Sequence, residues 1–177
     1  GGISFFNCRH LVMENIRADG NGYEMEYEGT GKYYQPFGEY QGTSDWWEMD
    51  QAARRTTGHI SVKVNVTVTP VEDGYDIRIH TSGCPASTIR FELGVVPNVL
   101  IKGGGFRIPA SAGGTLIAER GELCLFDGKD TVCIGPAFAA NDVINGLFGA
   151  VPASGQRFNI FFNDVTNFDR CLSIRVK

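Results

Sequence analysis

Across residues 59–69 apolar and polar side chains alternate without a break. Ile60, Val62, Val64, Val66 and Val68 fall on one side; Ser61, Lys63, Asn65, Thr67 and Thr69 fall on the other. A period of two is the mark of an extended strand with one buried and one wet face. At ~3.4 Å per residue this strand runs roughly 35 Å, longer than most. A strand of that length implies a large sheet, and a sheet with one apolar face needs a second layer. The same alternation recurs over residues 75–81, with Tyr75, Ile77 and Ile79 inward and Asp76, Arg78 and His80 outward. It recurs again over residues 89–93, 158–163 and 171–176.

Leu123, Leu125, Val132 and Ile134 share one face of an expected hairpin around Asp127-Gly128, and Cys124, Phe126, Thr131 and Cys133 share the other. A four-residue loop from Asp127 to Asp130 would set Cys124 directly opposite Cys133; a two-residue loop would leave them diagonal. The pattern is compatible with both registers.

The first third of the chain is less regular. Residues 3–6 and 10–16 read as short strands, and residues 23–28 as an edge or surface strand. Residues 29–42 are rich in glycine and aromatic side chains. Residues 44–55 are the one helix expected, with Ser44 or Asp45 as its cap and Glu48 in its first turn. Residues 137–153 read as a long loop. The sum is an all-β chain of about ten strands: one domain over residues 1–177, an antiparallel two-sheet β-sandwich with a short helix near residues 44–55.

A chain of 177 residues can bury a full core without staples. The net charge of −4 argues against a nucleic-acid partner and gives no long-range attraction toward polyanions. No apolar run is long enough to span a bilayer as a helix, so no membrane partner is expected. P-loop, dinucleotide-fold glycine, H-E-x-x-H and G-x-S-x-G patterns are all missing, and no cofactor is expected.

Five cysteines (Cys8, Cys84, Cys124, Cys133 and Cys171) are widely spaced with no C-x-x-C. That spacing points to no zinc site. Four of them sit in or beside apolar strand patterns, where a free thiol packs as a small hydrophobe. Buried free thiols are the expectation, and they lean toward a reducing, cytoplasmic compartment.

Candidate chemistry gathers in three places. Residues 45–50 read Asp-Trp-Trp-Glu-Met-Asp, followed by Arg54-Arg55. Aromatic rings stack on the C–H faces of sugars, while carboxylates and guanidinium forks pair with hydroxyls or a uronate, so Trp46, Trp47, Asp50 and Arg54 suit a carbohydrate ligand. The competing reading is a helix whose tryptophans plug the sandwich, since adjacent side chains on a helix point about 100° apart. A tyrosine-rich segment with Tyr34 and Tyr40 is the second place; it can equally fold back over a sheet edge. The wet face bearing Lys63, Asn65, Arg78 and His80 is the third, with a plain solvated face as its alternative. His80 has no acid partner nearby in the sequence.

Gly74-Tyr-Asp-Ile-Arg-Ile-His-Thr-Ser-Gly-Cys-Pro85, then Ile89-Arg-Phe-Glu-Leu93, followed by Gly114-Thr-Leu-Ile-Ala, the Asp127-Gly128 hairpin and Ile134-Gly-Pro136, resembles a known domain. It is similar to the β-sandwich that follows the helical toroid in heparinase II/III-like polysaccharide lyases, of the galactose-mutarotase-like supersandwich group. The resemblance covers about the C-terminal two thirds of the chain and rests on strand and turn patterns. It implies a bacterial protein of polysaccharide breakdown or sensing, with a periplasmic or secreted location also admitted. In those lyases the catalytic side chains lie largely in or beside the toroid, which this sequence lacks, so no catalytic residue carries over. The implied role is an accessory or binding module whose partners are a poly- or oligosaccharide and either a helical catalytic domain or a second copy. A stand-alone lyase or hydrolase and a structural oligomerisation domain are the alternatives.

Overall fold

The computed structural model describes residues 4–6, 14–18, 21–34, 40–45, 47–50, 52, 56–83, 85–86, 88–96, 98–108, 114–141 and 158–177. Twelve strands account for most of them: β1 (Ser4–Phe6), β2 (Glu14–Ala18), β3 (Tyr23–Tyr34), β4 (Thr56–Val71), β5 (Gly74–Gly83), β6 (Thr88–Val95), β7 (Leu100–Lys102), β8 (Gly105–Arg107), β9 (Thr115–Phe126), β10 (Thr131–Phe138), β11 (Phe158–Val165) and β12 (Asp169–Val176). The chain is all-β, as the alternation requires. The valine-rich strand extends to 16 residues as β4, with Val64 and Val66 buried on its inner side. β-Branched residues in succession stiffen and fill a half-buried pleated surface of this kind.

All twelve strands are hydrogen-bonded into one open sheet, ordered β1-β3-β4-β5-β12-β10-β9-β11-β6, with β2 on β3 and with β7 and β8 on β9. The β11–β9 pair is parallel, which makes the sheet mixed where an antiparallel one was expected. This one sheet stands where two were expected, and the core cluster draws on two halves of it. Strand β9 belongs to both: Leu123–Phe126 pair with β10 and β7, while Thr115–Ile117 pair with β11. Between those halves Gly121 takes a positive φ of 73°, a conformation that costs a residue without Cβ little.

Two more crossings join the halves. β5 runs into β6, β11 runs into β12, and the crossings are tied together by Thr81. Its N–H donates to Phe168 O at 2.8 Å and its hydroxyl accepts from Phe168 N at 3.0 Å. One core results. Val64, Ile79, Leu172 and Ile134 from one half share a cluster with Leu116, Ile160 and Phe162 from the other.

Other expectations are corrected or narrowed as well. There is no α-helix among the described residues, and the described part of residues 44–55 is a run of turns. Asp45 Oδ1 accepts from Trp47 N at 2.9 Å, Asp50 Oδ1 accepts from Ala52 N at 3.0 Å, and Glu48 N donates to Asp45 O at 3.1 Å. Asp45, which reads as a helix cap, and Asp50 each accept from the N–H two residues on in a local turn, and no i→i+4 ladder follows among the described residues. Of the two alternatives for residues 23–28 the surface strand holds, with Tyr23, Glu24 and Glu26 exposed, while the edge does not: β3 runs on to Tyr34, with β4 on one side and β1 and β2 on the other. Cys124 and Cys133 are joined in a disulfide rather than buried as free thiols, and Cys171 is free but exposed. The lean toward a reducing compartment loses its basis with them. Cys8 and Cys84 lie outside the described residues.

The hairpin register is the one with four loop residues, Phe126 opposite Thr131 and Cys124 opposite Cys133. Asp127 Oδ1 fixes that loop by accepting from the N–H groups of Lys129 and Asp130, both at 2.9 Å.

Candidate functional site

Strand register places two rows of side chains on the outer face of the sheet, because directly opposed residues of antiparallel strands point the same way. One row is Glu26, Asn65, His80 and Asp169, and the next is Glu24, Thr67, Arg78 and Cys171, each across β3, β4, β5 and β12. The inward partners on the same strands, Val64, Val66, Ile77, Ile79 and Leu172, are all buried, so the core holds the rows in place.

Arg78 reaches diagonally across to Asp169 and grips it with two bonds, Nε to Oδ1 at 2.9 Å and Nη2 to Oδ2 at 2.5 Å. A planar guanidinium fork matches a carboxylate in this geometry. His80 Nδ1 stands 3.8 Å from the same Oδ2. The Arg78 bonds, with smaller help from the nearby His80, hold the Asp169 carboxyl below the ordinary range, and Asp169 raises Arg78 in return. Both oxygens of Asp169 thus accept from Arg78, and Oδ2 also faces His80.

Beside it lies a second network. Asp76 accepts from Ser173 Oγ at 2.6 Å and from Arg175 Nη2 at 2.5 Å, and Arg175 Nη1 also donates to Tyr75 O at 2.7 Å. Ser173 and then Arg175 hold the Asp76 carboxyl down. At the other end of the rows a shallow depression of about 180 Å³ opens between β2, β3 and β4, lined by Arg17, Glu24, Glu26, Asn65 and Thr67. Arg17 Nη2 lies 3.7 Å from Glu26 Oε1 there.

Arg78 and His80 are therefore brought together, and the acid that His80 lacked in the sequence is Asp169, from a strand 89 positions further on. Asp169 escaped notice because its only local sign is its place at the start of an alternating strand. Trp47 and Tyr40 are 89% and 80% exposed, which removes the plugging role for Trp47. Their segment is held by its own turns: Thr43 Oγ1 donates to Glu48 Oε2 at 2.7 Å, and Asp50 N donates to Gln41 Oε1 at 2.9 Å. Tyr34 is placed by its backbone, at the end of β3 opposite Ser4 and Thr56. Trp46 and Arg54 lie outside the described residues.

The chain matches no family model, no curated protein and no solved structure.

Proposed function

We propose that this chain is a carbohydrate-associated β module that binds a poly- or oligosaccharide on its outer sheet face and does no chemistry on its own. The observation that supports this most is the double row of amide, hydroxyl, carboxylate and guanidinium groups across four strands, held rigid by the core beneath. Sugars present dense hydroxyl groups of both donor and acceptor character, and a preorganised band of mixed polar groups answers them at low entropic cost. The exposed rings of Trp47 and Tyr40 add stacking surfaces of the kind that sugar C–H faces prefer.

Calorimetric titration with a panel of neutral, amino and uronic-acid oligosaccharides tests the proposal. Binding of at least one class is expected, weakened about tenfold or more by Asp169→Asn and Arg78→Ala through loss of a charge-assisted contact. A folded protein that gives no heat with any member removes the proposal. Turnover of any member, abolished by His80→Ala, replaces it with the enzymatic reading.

A further inference from the structure

A second cluster lies on the hairpin of β9 and β10. Cys124 and Cys133 are register partners whose Cα atoms are 4.0 Å apart, a spacing of the non-hydrogen-bonded kind of pair, in which side chains come closest. Glu122 stands two residues before Cys124 on β9 and so shares its face. Its Oε1 is 3.6 Å from Cys124 Sγ, and one carboxylate oxygen and the two sulfurs lie within 4.8 Å of one another. Tetrahedral zinc, with bonds of about 2.0–2.3 Å, needs its ligand atoms roughly 3.3–3.8 Å apart. Cys133 is 1% exposed, so binding requires the two unlinked thiols to rotate apart and toward Glu122.

We propose that the reduced hairpin is a zinc site, with Cys124 and Cys133 bound as thiolates, Glu122 bound through a carboxylate oxygen, and water at the fourth position. Linear spacing argued against zinc, since the two cysteines are nine positions apart and belong to no short ligand motif. Strand pairing supplies the proximity that such a motif otherwise provides.

The oxidised pair must first be opened by a small dithiol. One thiolate of the dithiol attacks a hairpin sulfur, breaks the S–S bond and forms a mixed disulfide. Its second thiolate then displaces the hairpin cysteine. The dithiol leaves as its own cyclic disulfide, two electrons poorer, and its two protons end on Cys124 and Cys133. Zinc replaces those two protons on binding.

Charges around the pair act in both directions. Lys102 is the register partner of Cys124 on β7, and Arg175 is that of Cys133 on β12. Cations there favour thiolates over thiols. Lys177 Nζ holds Glu122 Oε1 at 2.8 Å and competes with the metal for it. Arg175 is already engaged by Asp76 and Asp73.

The test is a zinc titration of the full chain against a chromophoric chelator, after reduction by a dithiol and its removal without oxygen. One zinc per chain is expected, bound at least about 100-fold more tightly by the reduced chain than by the oxidised one, because only thiolates ligate. Cys124→Ser/Cys133→Ser is expected to lose that site, Glu122→Gln to weaken it about tenfold, and Lys177→Ala to tighten it. Circular dichroism follows each sample. A folded, reduced chain that leaves zinc with the chelator overturns the proposal. So does tight binding that survives in the double variant, since other groups then hold the metal.

Discussion

Replacing Phe162 with alanine is expected to destabilise the protein by about 4 kcal/mol. Phe162 lies on β11, is 0% exposed, and packs its ring 5.6 Å from that of Phe138 and 6.2 Å from that of Phe91. A phenylalanine side chain hides on the order of 150–250 Å² from water, worth roughly 3–4 kcal/mol once the alanine methyl that remains is subtracted. The tilted ring contacts add about 0.5–1.5 kcal/mol each, and partial collapse of the cavity gives some of it back. Urea unfolding measures the result. With a slope near 2 kcal/mol per molar the midpoint should fall by about 2 M, and the melting temperature should drop by roughly 8–16 °C. Trp47→Ala is the control: at 89% exposed it should change stability by no more than about 0.5 kcal/mol. A loss below about 1 kcal/mol for Phe162→Ala would refute the enclosure of one core between the folded halves of the sheet, because a residue in a single open layer has one face in water.

A Cβ at Gly74 would stand 1.9 Å from the carbonyl oxygen of Ile174, so Gly74→Ala must part β5 from β12 there; a loss of about 2–4 kcal/mol is expected, with faster amide exchange along both strands as the deciding measurement. Arg78 holds Asp169, and Ser173 with Arg175 holds Asp76, below the ordinary carboxylate range. A folded pKa below the unfolded one contributes stability in full above the unfolded value and loses it as pH falls through the folded value. Stability should therefore decline from near the ordinary aspartate pKa of about 3.9 downward, and Asp169→Asn/Asp76→Asn should flatten that decline; an unchanged acid limb would contradict the two networks. Reducing the Cys124–Cys133 bridge, which closes a loop with a sequence separation of nine, should lower stability in zinc-free buffer by about 2.5 kcal/mol on the chain-entropy estimate. No fall in the urea midpoint would mean that the bridge does not form.

How far the fold could be read in advance depended on whether the deciding contacts were local. Alternation in β4, β5, β11 and β12 is a property of each strand alone, and those inward residues are the core: Val64, Val66, Ile77, Ile79, Ile160, Phe162 and Leu172. Tyr75 departs from the pattern because it sits at the mouth of the β4–β5 turn, where the sheet no longer covers it, and it stays largely exposed. In the sequence strand β9 reads as two pieces, residues 116–118 and 123–126, because Glu119, Arg120, Gly121 and Glu122 interrupt its apolar run. Those residues are where the strand passes from one half of the sheet to the other, so they face water without leaving the ladder. The helix was misjudged for a different reason. Ser44, Asp45 and Asp50 are equally good helix caps and turn formers, and no apolar stripe at residues 44–55 was present to decide between the two.

The outer face divides along the same line. Arg78 and His80 share a strand, and their alternation announces a common side. Asp169 joins them only because β5 chooses β12 as its neighbour, a pairing between segments almost half the chain apart. Nothing in either strand encodes that choice locally; it follows from the apolar faces of both strands being completed by one core. Cys124 and Cys133 obey the same logic at short range. Their opposition is set by a loop of four residues, and the loop is set by which N–H groups Asp127 captures. A change to Asp127 should therefore act at a distance. Asp127→Ala removes the acceptor for two N–H groups and frees the loop to shorten, and a slip of one residue would set a cysteine of one strand against the apolar face of the other. The hairpin would then lose both its bridge and the geometry of the proposed zinc site, while the Arg78–Asp169 pair, held by β5 and β12, should be untouched. Loss of the bridge, with the Asp169 and Asp76 shares of the acid limb kept and only Asp127's own share gone, is thus the expected signature of Asp127→Ala. An acid limb that Asp169→Asn no longer changes in the Asp127→Ala background would show that the hairpin and the outer rows are one cooperative unit.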